Sequence, residues 1–419
     1  MATSKNEQPE TDAFAGDRGS IPEREGARGE SIWHVFLIFL RLGLTAFGGP
    51  IAHLGYFRTE FVTRRQWLDD RSYADLVALC QFLPGPASSQ VGMALGLGRA
   101  GWSGLFAAWA GFTLPSAIVL ILFALGVASN SALADSGWAQ GLKVVAVAVV
   151  AQAVWGMARS LCPDRPRAGI AFLAALLTLA IPSSVGQITA IVLSGFLGRW
   201  AVDALSAPGT QAHAYPISRK FGVFALALFL LLLLILPLWA AASGSSVAVL
   251  IEGVYRSGAL VFGGGHVVLP LLQASVVPND LVSNAEFLAG YGAAQAVPGP
   301  LFTFAAYLGA LADSPLKGWS GGIVLLITIF VPALLVLVAA LPFWERLRHR
   351  AGIQCVMAGV NAGVVGILLS ALYDPVWTSA IHNSRDFGLA LAAFGLLTVG
   401  RVPPVVVVTL GAAGGWLLA

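Results

Sequence analysis

The sequence predicts an all-α polytopic membrane protein: two inverted-topology repeats with broken or re-entrant half-helices, joined by an extra transmembrane helix. Three observations carry this. The 419-residue chain is 57% hydrophobic and 11% charged, with mean hydropathy +0.79, which excludes an ordinary soluble domain. Gln81-Phe82-Leu83-Pro84-Gly85-Pro86 and Gln295-Ala296-Val297-Pro298-Gly299-Pro300 each interrupt an apolar stretch. Proline lacks the N–H and clashes with the preceding turn, so Pro-Gly-Pro ends a helix. Hydrocarbon tolerates such a break only inside protein or beside a water-filled cavity. Finally, the pattern recurs. Arg256 and Phe262-Gly263-Gly264 repeat Arg41 and Phe47-Gly48-Gly49, and Gly318-Trp319-Ser320-Gly321 repeats Gly101-Trp102-Ser103-Gly104, all about half the chain later and in order. That is a tandem duplication.

Taken in order, residues 1–31 form a polar tail, expected to be disordered and cytoplasmic, with 11 of the 45 charged side chains. Residues 32–205 form the N-terminal repeat. Its first apolar pieces, 32–62 and 73–98, are each broken near the middle, at Gly48-Gly49-Pro50 and at Pro84-Gly85-Pro86. Each half is about half a membrane span at about 1.5 Å per residue. Longer segments follow at about 102–127, 138–160, 168–182 and 185–203. Residues 206–220 are a linker, 221–242 the connecting transmembrane helix, and 247–419 the C-terminal repeat.

Lys and Arg concentrate in the tail and in 58–71, 159–167, 199–220 and 346–350, whereas 129–137, 183–186, 242–250 and 278–286 hold none. The positive-inside rule makes the first group cytoplasmic, provided that 32–62 and 73–98 are hairpins that enter and leave on one face. The extra helix then flips the second half, leaving the N-terminus cytoplasmic and the C-terminus periplasmic. Inverted repeats place a substrate near the midplane, at their interface.

Phe47-Gly48-Gly49-Pro50 with His53-Leu54-Gly55-Tyr56-Phe57-Arg58, and Leu79 to Gly92 around the first Pro-Gly-Pro, resemble the chromate ion transporter family. So do Ala100-Gly101-Trp102 and Gly111-Phe112-Thr113-Leu114-Pro115-Ser116, while Phe262 to His266 and Gln295 to Pro300 resemble the second half of its two-domain members. The resemblance implies efflux of chromate across a bacterial inner membrane, conferring resistance, with sulfate as a structural mimic. A sulfate or other oxyanion permease, even an importer, is the alternative.

The residues themselves suit a tetrahedral anion. Chromate offers acceptor oxygens only, so a site needs N–H donors and positive potential, which the N-termini of broken helices supply. Gly48, Gly49, Gly85, Gly263, Gly264, Gly265 and Gly299 let backbone approach the ion. Pro84, Pro86, Pro298 and Pro300 make the breaks, and Ser88, Ser89 and Thr303 follow them. Gln81 and Gln295 stand three residues before each first proline; their amides either donate to the anion or satisfy freed carbonyls. Arg41 and Arg256, six residues before each Phe-Gly-Gly, are arginines in apolar segments and so site candidates, with pairing to an acid such as Glu252 as the structural alternative. His53 and His266 adjoin the breaks as hydrogen-bonding residues or proton carriers.

There is no His-Glu-x-x-His, no paired metal-ligand carboxylate and no cysteine spacing for a metal or disulfide set among Cys80, Cys162 and Cys355, so the reading is a transporter without metal or cofactor rather than an enzyme. No basic stripe suggests nucleic acid. The expected partners are the bilayer, a chromate- or sulfate-like anion and a coupling ion, either a proton or a counter-anion. The connecting helix either corrects topology alone or also offers a homodimer interface.

Overall fold

The computed structural model describes residues 30–46, 49–129, 137–202, 217–262, 265–344 and 350–418. The polar tail and most of the linker fall outside that set, as do Phe47, Gly48, Gly263 and Gly264. Among the described residues the chain is helical without strands, and five helices are long and apolar enough to cross a membrane. The protein is an all-α polytopic membrane protein.

In the first half, α1 (Ile32–Thr45) is followed by α2 (Gly49–Phe57), which continues as a π-turn over Arg58–Arg64. The buried side of α1, with Val35, Ile38, Phe39, Leu42 and Gly43, follows helical spacing. The return leg lies alongside it: Phe61 stacks on Phe39 at 5.1 Å, and Arg65 Nη1 comes within 3.3 Å of His34 Nε2. Helix α1 and the leg from Gly49 to Arg64 therefore form a helical hairpin.

A second hairpin follows. Its first leg, α3 (Asp70–Phe82), is capped by Asp69, which accepts from the Ser72 N–H. Its second leg is the first arm of α4 (Ala87–Ser129), which ends where Arg99 donates to the Trp67 carbonyl, back beside the start of α3. Helix α4 then reverses at Ala100-Gly101, where backbone angles leave the helical range. Gly96 and Gly104 pack backbone to backbone across that turn, so the second arm is a separate long helix.

Next come α5 (Gly137–Leu161), α6 (Arg165–Ala180), α7 (Ser184–Ala201) and the connecting helix α8 (Arg219–Ser243). The latter leaves most of its apolar surface facing outward, as a lipid-facing helix does.

The second half repeats the plan. Helices α9 (Ser246–Leu260) and α10 (Val268–Val276) make one hairpin, closed where Gly253 meets Ser275. Helices α11 (Asn284–Ala296) and α12 (Phe304–Leu311) make the other, with Phe287 edge-on to Phe304 and the Tyr307 hydroxyl donating to the Glu286 carbonyl. Gly309 then packs against Gly321 of α13 (Gly318–Ala340), as Gly96 does against Gly104. The chain ends with α14 (Ala351–Ala371), α15 (Ser384–Thr398) and α16 (Pro404–Leu418).

The halves interlock instead of lying side by side. Helix α5 packs on α15 and α16 of the second half, and α14 packs on α6 and α7 of the first. Small residues permit the approach, with Gly141 against Gly411 and Gly198 against Gly359.

Candidate functional site

Each Pro-Gly-Pro turn docks on the helix break of the other half. The Gly85 N–H donates to the Val261 carbonyl (2.7 Å), and the Gly299 N–H donates to the Ala46 carbonyl (3.0 Å). Val261 and Ala46 each immediately precede a Phe-Gly-Gly, so the two bonds are counterparts. Both glycines have positive φ, +120° and +105°, in the region that disfavours a side chain. A Cβ at Gly85 would lie 2.7 Å from Ala333 Cβ, and one at Gly299 would lie 2.9 Å from Ser116 Oγ. Ala333 and Ser116 each follow the proline inside a long helix, Pro332 or Pro115. Sequence position and contact agree at every point of this exchange.

Three of the four breaks border one small cleft, half polar and half apolar, whose empty space is about 500 Å³ with the open solvent at its mouth counted. Gly49 and Pro50 come from the first break, His266 from its counterpart, and Gln295, Val297, Gly299 and Leu301 from the second Pro-Gly-Pro. Val149, Gln152 and Ala294 complete the walls, with Pro404 at the start of α16. His266 Nδ1 shares a hydrogen bond with the Tyr291 hydroxyl (2.8 Å), and its Nε2 lies 3.8 Å from where a Gly49 Cβ would stand. The Gln295 amide nitrogen is buried without a hydrogen-bond partner. Gln152 reaches the Leu397 carbonyl only at 3.4 Å. Leu301 opens a 3₁₀ turn whose first N–H groups have no acceptor within the turn. Among the described residues the lining carries no carboxylate to repel an anion, and its unpartnered donor is the buried Gln295 amide.

The other sequence candidates fall elsewhere. Gln81 is exposed and outside the cleft. Pro84 borders a second, apolar cleft with Leu79, Phe82, Leu83, Phe262 and Trp344. The Pro86 carbonyl accepts from the Gln90 N–H, and the Pro300 carbonyl from both the N–H and the hydroxyl of Thr303; Pro298 stays within its turn. Ser88 is buried with its hydroxyl 3.4 Å from His53 Nδ1, and Ser89 is buried without a partner. His53 Nε2 donates to the Ala46 carbonyl (3.2 Å), which therefore serves both a ring N–H and the Gly299 N–H. Arg256 pairs with Glu252 (2.9 Å), and Arg41 pairs with Glu60 (2.7 Å), so both guanidiniums are held by carboxylates away from the cleft. Gly265 opens the short 3₁₀ turn that carries His266. Gly48, Gly263 and Gly264 lie outside the described residues.

Two glutamines escaped the sequence reasoning. Gln152 is a polar side chain in the middle of an apolar helix, which was its available signal. Gln90 is fully buried and donates to both the Pro84 carbonyl (2.9 Å) and the Ala333 carbonyl (3.2 Å), tying the first turn to the opposite half. The run Gly318 to Gly322 has the Gly-x-Ser-x-Gly spacing of a nucleophile elbow. Its Ser320 hydroxyl donates to the Lys317 carbonyl in the first turn of α13, a capping bond and not a nucleophile–base pair.

An all-α membrane protein whose broken helices meet around an internal cleft is the class that fold and site define. The chromate transporter family model matches residues 33–199 and again 248–416, so the chain belongs to that family and carries two copies of its domain. It is similar to the chromate transport protein of Pseudomonas aeruginosa (26% identical, covering 92% of each chain). It is likewise similar to the probable chromate transport protein of Synechococcus elongatus (26%, 85% of this chain and 87% of that one) and to the chromate transport protein of Cupriavidus metallidurans (26%, 80% of each). No solved structure matches.

Proposed function

We propose that the protein is a secondary active transporter that exports chromate across a bacterial inner membrane by alternating access, lowering its cytoplasmic concentration and conferring resistance. Family membership and relatives described as chromate transport proteins support the substrate. The observation that carries the mechanism is the reciprocal docking of the two Pro-Gly-Pro turns beside the cleft. In this reading the two copies are inverted, with the N-terminus cytoplasmic and the C-terminus periplasmic. The recurrence of the same contacts in both halves supports that relation.

His266, Gln295 and the newly found Gln152 bind the anion, with Gly49 and Gly299 forming the wall beside them. Neutral donors suit a dianion that must also leave, because they recognise its oxygens without trapping its charge. Either a proton or a counter-anion couples the cycle, and a homodimer belongs to the same proposal. Sulfate shares the tetrahedral shape and charge.

Uptake of labelled chromate and sulfate into inside-out vesicles tests this. Saturable, energy-dependent chromate accumulation exceeding that of sulfate is expected. Accumulation only in right-side-out vesicles, or sulfate as the faster substrate, would replace the exporter with the oxyanion permease.

A further inference from the structure

Outside the cleft, the most unusual cluster of charge stands on the first hairpin. Glu60 is a carboxylate only 5% exposed, next in sequence to the fully buried Phe61. A buried carboxylate needs a counter-charge, and one guanidinium would suffice. Glu60 has three: Arg41 Nη2 at 2.7 Å and Arg64 Nη1 at 3.2 Å on Oε2, and Arg65 Nε at 2.8 Å on Oε1. Asp70 is neutralised by Arg58, whereas Glu30 is held by the His34 ring, whose Nε2 accepts from Arg65, so its charge counts against the cluster. Three guanidiniums against Glu60 and Glu30 leave one net positive charge. Arg41 and Arg64 are 52% and 60% exposed, and each guanidinium has five N–H donors, most of them unused here.

Position identifies what fits this charge. Arg41 shares the outer stripe of α1 with Trp33, Leu37 and Leu44, all exposed apolar residues that face lipid in a membrane protein. Helical side chains lean toward the N-terminus, so the Arg41 guanidinium reaches back from the apolar stripe toward Arg64 and Arg65. An anion dissolved in water does not approach along such a stripe, but a phospholipid does, with its chains on the leucines and its phosphate at the arginines. Arginine forks suit phosphate oxygens, and basic clusters beside membrane helices bind anionic head groups.

We propose that Arg41, Arg64 and Arg65, held in place by Glu60, form a binding site for the head group of an anionic phospholipid. The lipid pins the first hairpin, whose second leg supplies Gly49 and Pro50 to the cleft.

The test uses the full-length protein in neutral detergent, titrated with short-chain phosphatidylglycerol, phosphatidylcholine or inorganic phosphate. Thermal unfolding and native mass spectrometry give the readouts. Phosphatidylglycerol is expected to raise the unfolding midpoint by about 2 °C or more at saturation. It should also survive as a bound adduct, while the other two do neither. Arg64→Gln, an exposed position, is expected to weaken phosphatidylglycerol binding about fivefold, Arg64→Lys less, and Arg159→Gln on a distant helix not at all. Three results would overturn the proposal: an equal response to phosphatidylcholine, a matching response to inorganic phosphate, which would make this an aqueous anion site, or unchanged lipid binding in Arg64→Gln.

Discussion

At the scale of single residues, Gln81 and Gln295 occupy matching places in sequence and different places in space. Gln295 lines the cleft with its amide nitrogen buried, whereas Gln81 is exposed. Removing one neutral hydrogen-bond donor costs about 1 kcal/mol, or roughly fivefold. Gln295→Ala and Gln152→Ala are therefore each expected to raise the KM for chromate about fivefold in vesicle uptake, with Gln81→Ala close to wild type. Equal effects at all three positions would remove the cleft from the binding site. The breaks were legible from Pro-Gly-Pro and Phe-Gly-Gly because backbone chemistry alone dictates them. The direction of a side chain was not, because it depends on which opposing helix fills the space. Arg41 shows the same limit: its cost in an apolar stretch is visible in sequence, but Glu60, nineteen residues later, becomes its partner only after the hairpin folds.

At the scale of elements, the sequence placed the breaks within 32–62 and 73–98 and left those segments open between hairpins and kinked spanning helices; the contacts of Phe39 with Phe61 and of Arg99 with Trp67 make them hairpins. The sharp reversal at Ala100-Gly101 falls between the 73–98 piece and the 102–127 segment that the sequence separates, and the backbone contact of Gly96 with Gly104 closes it. The Pro-Gly-Pro turn is the element most open to challenge by mutation. Gly299→Ala adds a Cβ at φ +105°, 2.9 Å from Ser116 Oγ, combining backbone strain of about 1–3 kcal/mol with a clash. Protein that reaches the membrane but transports at least about tenfold more slowly is expected. Gly55→Ala, where a Cβ would meet nothing within 4 Å, is the matched control and should behave as wild type. Comparable losses in both would show that the turn has no special role.

At the scale of the whole molecule, the exchange of helices between halves matters most. With α5 seated on α15 and α16, and α14 on α6 and α7, neither half can bury its own long helix alone. Chains of residues 1–205 and 206–419 expressed separately are expected to be unstable and inactive, whereas their co-expression restores transport. Activity from either fragment alone would contradict the interlocked arrangement.

The two glycine bonds, Gly85 to Val261 and Gly299 to Ala46, sit where the halves cross, like the rivet in a pair of shears. A riveted pair moves least at its fulcrum and most at its blade tips. The anion's immediate surroundings are therefore expected to stay nearly rigid through the cycle, while the far helix ends at each surface travel furthest and do the opening.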